Sequence, residues 1–306
     1  MKKIIYLITF LCLFTACKND DPGDVVLSSE EINVIGTNYA ESKKNFTLTY
    51  SSLLDSLVSN EAISIIAEVD HAANARSVGR VVNPSRIIFF GNPFLGTPLM
   101  QKNQLAGLDL PQKIFIYQNS SNSIYAIYNS VPYLESRHGL QGVNTLPQIS
   151  TALENLVKTT TDSDIKSATE LTVTEGQGII SIISDQNFEE TYAALQNAIS
   201  GNKELSIIAQ LDHQINAENA GLELRPTKIM IFENSNLEAP LLQDQLVVGL
   251  DLPLKILVWE DENGDVNISY NDPSYLQERY GLEANIEELE LLSTALDNLA
   301  KTAAGN

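Results

Sequence analysis

The chain has 306 residues and a formal net charge of −20, unevenly held: residues 1–160 carry 12 basic and 13 acidic side chains, residues 161–306 carry 7 and 26. Phosphate binding depends on clustered Lys and Arg, so this balance excludes nucleic acid as a partner and gives anionic lipid no electrostatic hold. The two cysteines, Cys12 and Cys17, both lie near the start, leaving no thiol further on for catalysis, zinc or a disulfide.

In chain order, Lys2 and Lys3 precede an apolar run from Ile4 to Phe14 that is too short to span a bilayer, and small residues follow it, the pattern of a secretory signal. Leu13-Phe14-Thr15-Ala16-Cys17 resembles a bacterial lipobox, with Phe14 where an aliphatic residue is usual. The resemblance implies that Cys17 is acylated and begins the mature protein. Lys18 stands where an inner-membrane retention signal has aspartate, which favours the outer membrane; Asn19-Asp20-Asp21 suits either surface display or a solvated tether. The expected organisation is a lipoprotein signal over 1–17, a tether over 18–31 with Pro22 and Gly23, and two repeat domains over 32–160 and 170–306. The expected location is the cell envelope, held through the lipid anchor on the periplasmic or surface side.

The duplication is direct. Phe46 matches Phe188, Asp70-His71 matches Asp212-His213, Gly107-Leu108-Asp109-Leu110-Pro111 matches Gly249-Leu250-Asp251-Leu252-Pro253, and Arg137 matches Arg279, each 142 residues apart. The offset becomes 143 at Thr151-Ala152-Leu153 and Thr294-Ala295-Leu296, one inserted residue later. Units this long form tandem domains rather than a solenoid.

In the first copy the pattern predicts strands over 63–69, 86–90, 113–117 and 123–128, a short helix from His71 and a closing helix near 146–157. The second predicts a strand over 178–184, then a helix with Phe188, Tyr192, Leu195 and Ile199 on one face. A strand over 206–211 leads to Asp212 in an N-cap position and a short helix that stops at Gly221. Strands follow over 228–232, 255–260 and 265–271, the last two joined across Asn263-Gly264, the strongest hairpin signal in the chain. A helical segment starts near Pro273, and another from Ile286 to Ala300 repeats Leu289, Leu292, Leu296 and Leu299. Strands outnumber crossovers, so each sheet is expected to be largely antiparallel with helices on one face. Two such units can pair about a pseudo-two-fold axis.

Val69-Asp70-His71, the loop Phe90-Gly91-Asn92-Pro93 with Gly96-Thr97-Pro98-Leu99-Met100, then Gly107 to Pro111 and Tyr128 resemble the domain-of-unknown-function family DUF 302, over about 46–140 and 188–282. The resemblance implies an α+β fold: two tandem TATA-binding-protein-like β-α-β4-α sandwich domains forming an intramolecular pseudo-dimer. It brings no assigned reaction. The second copy departs at the glycine loop, reading Phe232-Glu233-Asn234-Ser235.

Neighbouring residues on a helix point roughly 100° apart, so neither Asp-His pair forms a dyad with itself. Asp70 and Asp212 suit helix caps. His71 and His213 fall at the first helical position, where the dipole disfavours a charged imidazole; each can meet a ligand or metal, or be hydrogen-bonded beside the core. Gly91-Asn92-Pro93 and Gly96 suit a pocket lip or a strand-to-helix turn. Gly107 to Pro111 reads as a turn in which Asp109, like Asp251, bonds its own backbone. Arg137 and Arg279, in the shared Tyr-Leu-x-x-Arg pattern, suit a carboxylate ligand or a salt bridge to the neighbouring domain.

Dinucleotide, P-loop, zinc-protease and serine-hydrolase patterns are missing, and no cofactor or metal is expected. The expectation is a ligand-binding or protein-interaction module, with His71, His213, Asp70, Asp212, Asn92, Arg137 and Arg279 as candidate contacts for a small molecule or protein. The alternative is an acid-base or metal-assisted hydrolase at the inter-repeat interface. That alternative requires both histidines and at least two acids to converge on one concave pocket.

Overall fold

Each repeat opens with a strand that hands the chain to a helix through an asparagine cap. In the computed structural model, which describes residues 32–305, β1 (Thr37–Glu41) leads to α1 (Phe46–Val58), where Asn45 accepts a hydrogen bond from the Leu48 amide. The signal, tether and Cys17 expected from the sequence lie outside the described residues.

After α1 the first repeat continues through β2 (Ser64–Asp70), α2 (His71–Ser77), β3 (Ser85–Gly91), α3 (Pro93–Lys102) and a 3-10 helix, Gln104–Asp109. It then forms β4 (Gln112–Gln118), β5 (Ile124–Asn129), α4 (Val131–His138) and α5 (Leu146–Thr161). The short strand β6 (Lys166–Ser167) pairs with β1 on the way to the second repeat. There the same series recurs: β7 (Ile179–Ile183), α6 (Phe188–Gly201), β8 (Ser206–Asp212), α7 (His213–Asn219), β9 (Thr227–Glu233) and α8 (Ser235–Asp244). A 3-10 helix, Leu246–Leu250, precedes β10 (Leu254–Glu260), β11 (Val266–Asn271), α9 (Pro273–Tyr280) and α10 (Ile286–Ala304).

The fold is α+β. Its two antiparallel sheets run β2-β3-β4-β5-β1-β6 and β8-β9-β10-β11-β7, one order used twice. Even the irregularities repeat, with register shifts between Ile65 and Ala67 and between Ile207 and Ala209. Helix α6 bears out the apolar spacing of Phe188, Tyr192, Leu195 and Ile199, and α1 starts at the matching Phe46. The segment after β3, a turn or loop in the sequence reading, is the full helix α3, capped by Asn92.

Side chains alternate across a strand, so each sheet has two faces to cover. In the first sheet Ile88, Phe90, Ile114, Ile116 and Ala126 pack with Leu53 and Leu57 of α1 and Leu153 and Val157 of α5. Its other face, with Ile87, Phe89 and Phe115, joins a core shared with Val248 and Leu250 of the second repeat. The second sheet answers in kind, with Ile229 and Leu257 packing on Leu108 of the first repeat. Each 3-10 helix therefore seats on the opposite repeat's sheet. That seat requires glycine: a Cβ on Gly107 would lie 2.8 Å from Leu257, and one on Gly249 would lie 2.6 Å from Phe115.

Gly249→Ala is expected to lower the unfolding free energy by about 1–3 kcal/mol, the usual cost of overpacking a core. Gly201→Ala, where nothing lies within 4 Å of the added carbon, should leave stability unchanged or slightly raised. Urea denaturation of both variants checks this.

Candidate functional site

The 3-10 helices carry Asp109 and Asp251 into the seam between the repeats. Lys113 on β4 reaches across to Asp251 at 2.6 Å and stands 3.8 Å from Asp109. Arg137 pairs with Asp109 at 2.9 Å and Arg279 with Asp251 at 2.6 Å. Each guanidinium then crosses the seam: Arg137 donates to the Asn271 side chain and the Gln177 carbonyl, Arg279 to the Asn129 side chain and the Ile35 carbonyl. The Tyr133 and Tyr275 hydroxyls, 142 residues apart, meet at 3.1 Å. Lys255 donates to the Leu108 carbonyl at 2.7 Å.

His138 and Tyr280 are equivalent positions with different chemistry and the same task. The His138 imidazole bonds Asp109 at 2.8 Å, and the Tyr280 hydroxyl donates to Asp251 at 2.9 Å. Burial by itself would raise both aspartates, but Arg137, His138 and Lys113 hold Asp109 well below the usual carboxylate range, and Lys113 and Arg279 do the same for Asp251. Burial, with Lys113 close by, drives Lys255 down.

These groups have almost no exposure and, apart from His138 Nδ1, are held by one another. The structure chooses among the readings that the sequence leaves open, and it corrects one, the role of Asp109 and Asp251. Arg137 and Arg279 hold protein carboxylates rather than presenting themselves to a ligand. Asp109 and Asp251 serve this network instead of bonding their own backbone. Asp70 and Asp212 cap α2 and α7 through the Ala73 and Ile215 amides and pair with Arg86 and Lys228. His71 is buried with Nε2 3.1 Å from the Gly249 carbonyl and its ring edge-on to Phe115.

His213 behaves differently from its twin. It lines a cavity of about 200 Å³ between the repeats, walled by Ile63, Ile66, Phe90, Leu95, Met100, Leu110, Leu153, Leu156 and Leu211 and lipped by Gly91, Asn92, Pro93 and Gly96. His213 is 5 % exposed, and its Nε2 finds no protein partner; nor does the buried Nε2 of Gln112, on the same wall. Burial pushes the His213 imidazole down to about 4, so it is neutral at pH 7. No Asp, Glu, Lys or Arg lines the cavity. The hydrolase alternative, which needs both histidines and two acids in one pocket, is not what this geometry assembles. Among the described residues no three His, Cys, Asp or Glu side chains are grouped to hold a metal.

At the equivalent place in the other repeat the symmetry breaks. Glu233 and Glu238 stand for Gly91 and Gly96, and Leu254 for Gln112. Asn74 of α2 donates to Glu233, and Glu238 lies buried with one oxygen accepting from the Asn234 amide at 3.1 Å. Burial raises the Glu238 carboxyl to about 8. Side chains occupy the second half where glycines open the first.

The defining pattern of one family matches residues 39–159 and 180–299. The chain belongs to the family described as Domain of unknown function DUF302. A stretch of 131 residues of this DUF302 chain is 33% identical to the fluoride-specific ion channel FluC 1 of Brucella suis biovar 1, covering 42% of the chain and 51% of that protein. The same identity and length relate it to FluC 2 of Brucella melitensis biotype 1, covering 48% of that protein. The chain thus spans about half the length of these curated relatives. It is also similar to an uncharacterized conserved protein DUF302 from Bacillus stearothermophilus, whose crystal structure aligns with a TM-score of 0.38 at 20% identity, over 42% of this chain and 98% of that one. No helix among the described residues is long and apolar enough to cross a membrane.

The buried histidines give the protein an acid limit. His71 and His213 take a proton near pH 4 when folded and near pH 6.5 when unfolded. The unfolded state binds more protons between those values, so stability falls as pH drops through the window, by on the order of 3 kcal/mol for each histidine. Urea titrations at pH 7 and pH 4.5 should show His213→Gln losing less stability on acidification than the unaltered protein.

Proposed function

We propose that this DUF302 chain is an envelope-anchored binding protein with one small-molecule site per chain, formed where Gly91 to Met100 of the first repeat face His213 of the second. The observation that carries the reading is the pair of buried, unpartnered nitrogens, Gln112 Nε2 and His213 Nε2, on the wall of a mainly apolar cavity. A buried polar group without a partner costs about 1–3 kcal/mol, so such groups are retained where something supplies the missing bond. Concave apolar walls with a few polar atoms are the common form of a ligand site.

Divergence between the copies supports the same reading. Folding does not require glycine at 91 and 96, where an added Cβ would meet nothing nearer than 3.6 Å and where the other repeat holds glutamate. The anchor rests on Cys17 and the apolar run before it. Conduction belongs to the channel relatives, and none is proposed for this chain.

Two outcomes are expected. Cys17→Ser should move the protein from the membrane fraction to the soluble fraction, and metabolic labelling with palmitate should mark the unaltered chain alone. Native mass spectrometry of protein purified from its own cells should show a ligand at one per chain. Gly96→Leu should remove that ligand while leaving urea stability equal or higher, because a Cβ at Gly96 meets only Leu110 at 3.6 Å and leucine favours a helix more than glycine does. Retention of the ligand by a folded Gly96→Leu variant would place its site elsewhere.

A further inference from the structure

We infer that the cavity takes an uncharged ligand the size of about one six-membered ring, bearing hydroxyl groups where it meets Gln112 and His213. The inference rests on the cavity being the ligand site and names what that site selects.

Size comes first. The cavity measures about 200 Å³, and an apolar cavity of roughly 150 Å³ is known to accept benzene. A ring with one or two substituents fills it, whereas a peptide or a nucleotide does not fit.

Charge comes next. With no Asp, Glu, Lys or Arg on the wall, a carboxylate or ammonium would be stripped of water without a counter-charge, which costs far more than a hydrogen bond returns. Burial also keeps His213 from supplying a cation at neutral pH. The favoured body is therefore neutral.

The polar atoms then select the substituent. Gln112 Nε2 is a donor and requires an acceptor. His213 Nε2 gives or takes a proton bond according to its tautomer. A hydroxyl is donor and acceptor at once, so it satisfies either nitrogen in either state, which a carbonyl, an ether or a methyl does not. The other repeat shows what happens without this demand: Leu254 replaces Gln112, and His71 is satisfied internally by the Gly249 carbonyl.

The test uses three probes of nearly equal size: phenol, toluene and benzoate, titrated by calorimetry against the mature chain and the Gln112→Leu variant. Leucine at 112 copies the residue of the equivalent position, so the variant is expected to fold, as its circular dichroism and urea midpoint will show. Phenol is expected to bind at least tenfold tighter than toluene, benzoate to bind more weakly than either, and Gln112→Leu to bring the phenol-to-toluene ratio to within about threefold of unity by weakening phenol, one lost hydrogen bond being worth about tenfold. Toluene binding as well as phenol, or benzoate binding best, would overturn the hydroxyl assignment and leave the binding site standing. No binding by any of the three, together with no ligand at one per chain in native mass spectra, would overturn the site itself.

Discussion

The whole arrangement depends on two aspartates that cannot be left alone. Asp109 and Asp251 are carried into the seam by 3-10 helices seated on the opposite repeat's sheet, and in that dry environment a lone carboxylate would be very costly. Lys113, Arg137 and Arg279 supply the positive charge, and the two guanidiniums also bond carbonyls and amide side chains of the other repeat. Such a network is weak evidence for stability, since well-packed apolar groups often do as well. What it gives is register. The donors and acceptors match across the seam in this one relative position of the repeats.

Register matters because the cavity, walled mainly by the first repeat, is completed by Leu211, His213 and Asn216 of the second. Its lip is the β3–α3 turn of the first, and its unpartnered imidazole comes from α7 of the second. A shift of the seam by a side chain's length would separate Gln112 from His213 or close the space between them. Gly107 and Gly249 serve the same end, because the close approach of each 3-10 helix to Leu257 or Phe115 leaves no room for a side chain.

Duplication and divergence divide the labour. Positions that hold the halves together are kept in kind: Asp109 with Asp251, Arg137 with Arg279, Tyr133 with Tyr275. Where the residue changes, as from His138 to Tyr280, the hydrogen bond to aspartate survives. Positions around the cavity change in chemistry, from glycine to glutamate and from glutamine to leucine. Much of the fold was legible in the sequence for this reason, since a pattern of strands and aspartate caps seen twice corrects the ambiguity of seeing it once, and Asn263-Gly264 marks a hairpin that Ser121-Asn122 leaves unmarked in the first copy. The ion network was not legible, because Lys113 and Asp251 are 138 residues apart and nothing local links them. Tyr280 stands where the first copy has His138, and Leu254 where it has Gln112, so repetition marks neither residue. Identity between the copies marks the interface, and the differences, the glycine loop among them, surround the cavity. Of the candidate contacts His213 and Asn92 line it, together with the expected lip of Gly91, Pro93 and Gly96.

The most direct test of this account is a double-mutant cycle across the seam, Lys113→Met and Asp251→Asn singly and together, followed by urea unfolding. Groups that touch and share a network couple by about 0.5–3 kcal/mol, whereas independent sites add to within about 0.5 kcal/mol. The account predicts a coupling above about 1.5 kcal/mol, with each single variant much less stable than the parent. Additive effects within about 0.5 kcal/mol would contradict it, because the two repeats would then not be held by the contact on which the shared cavity depends.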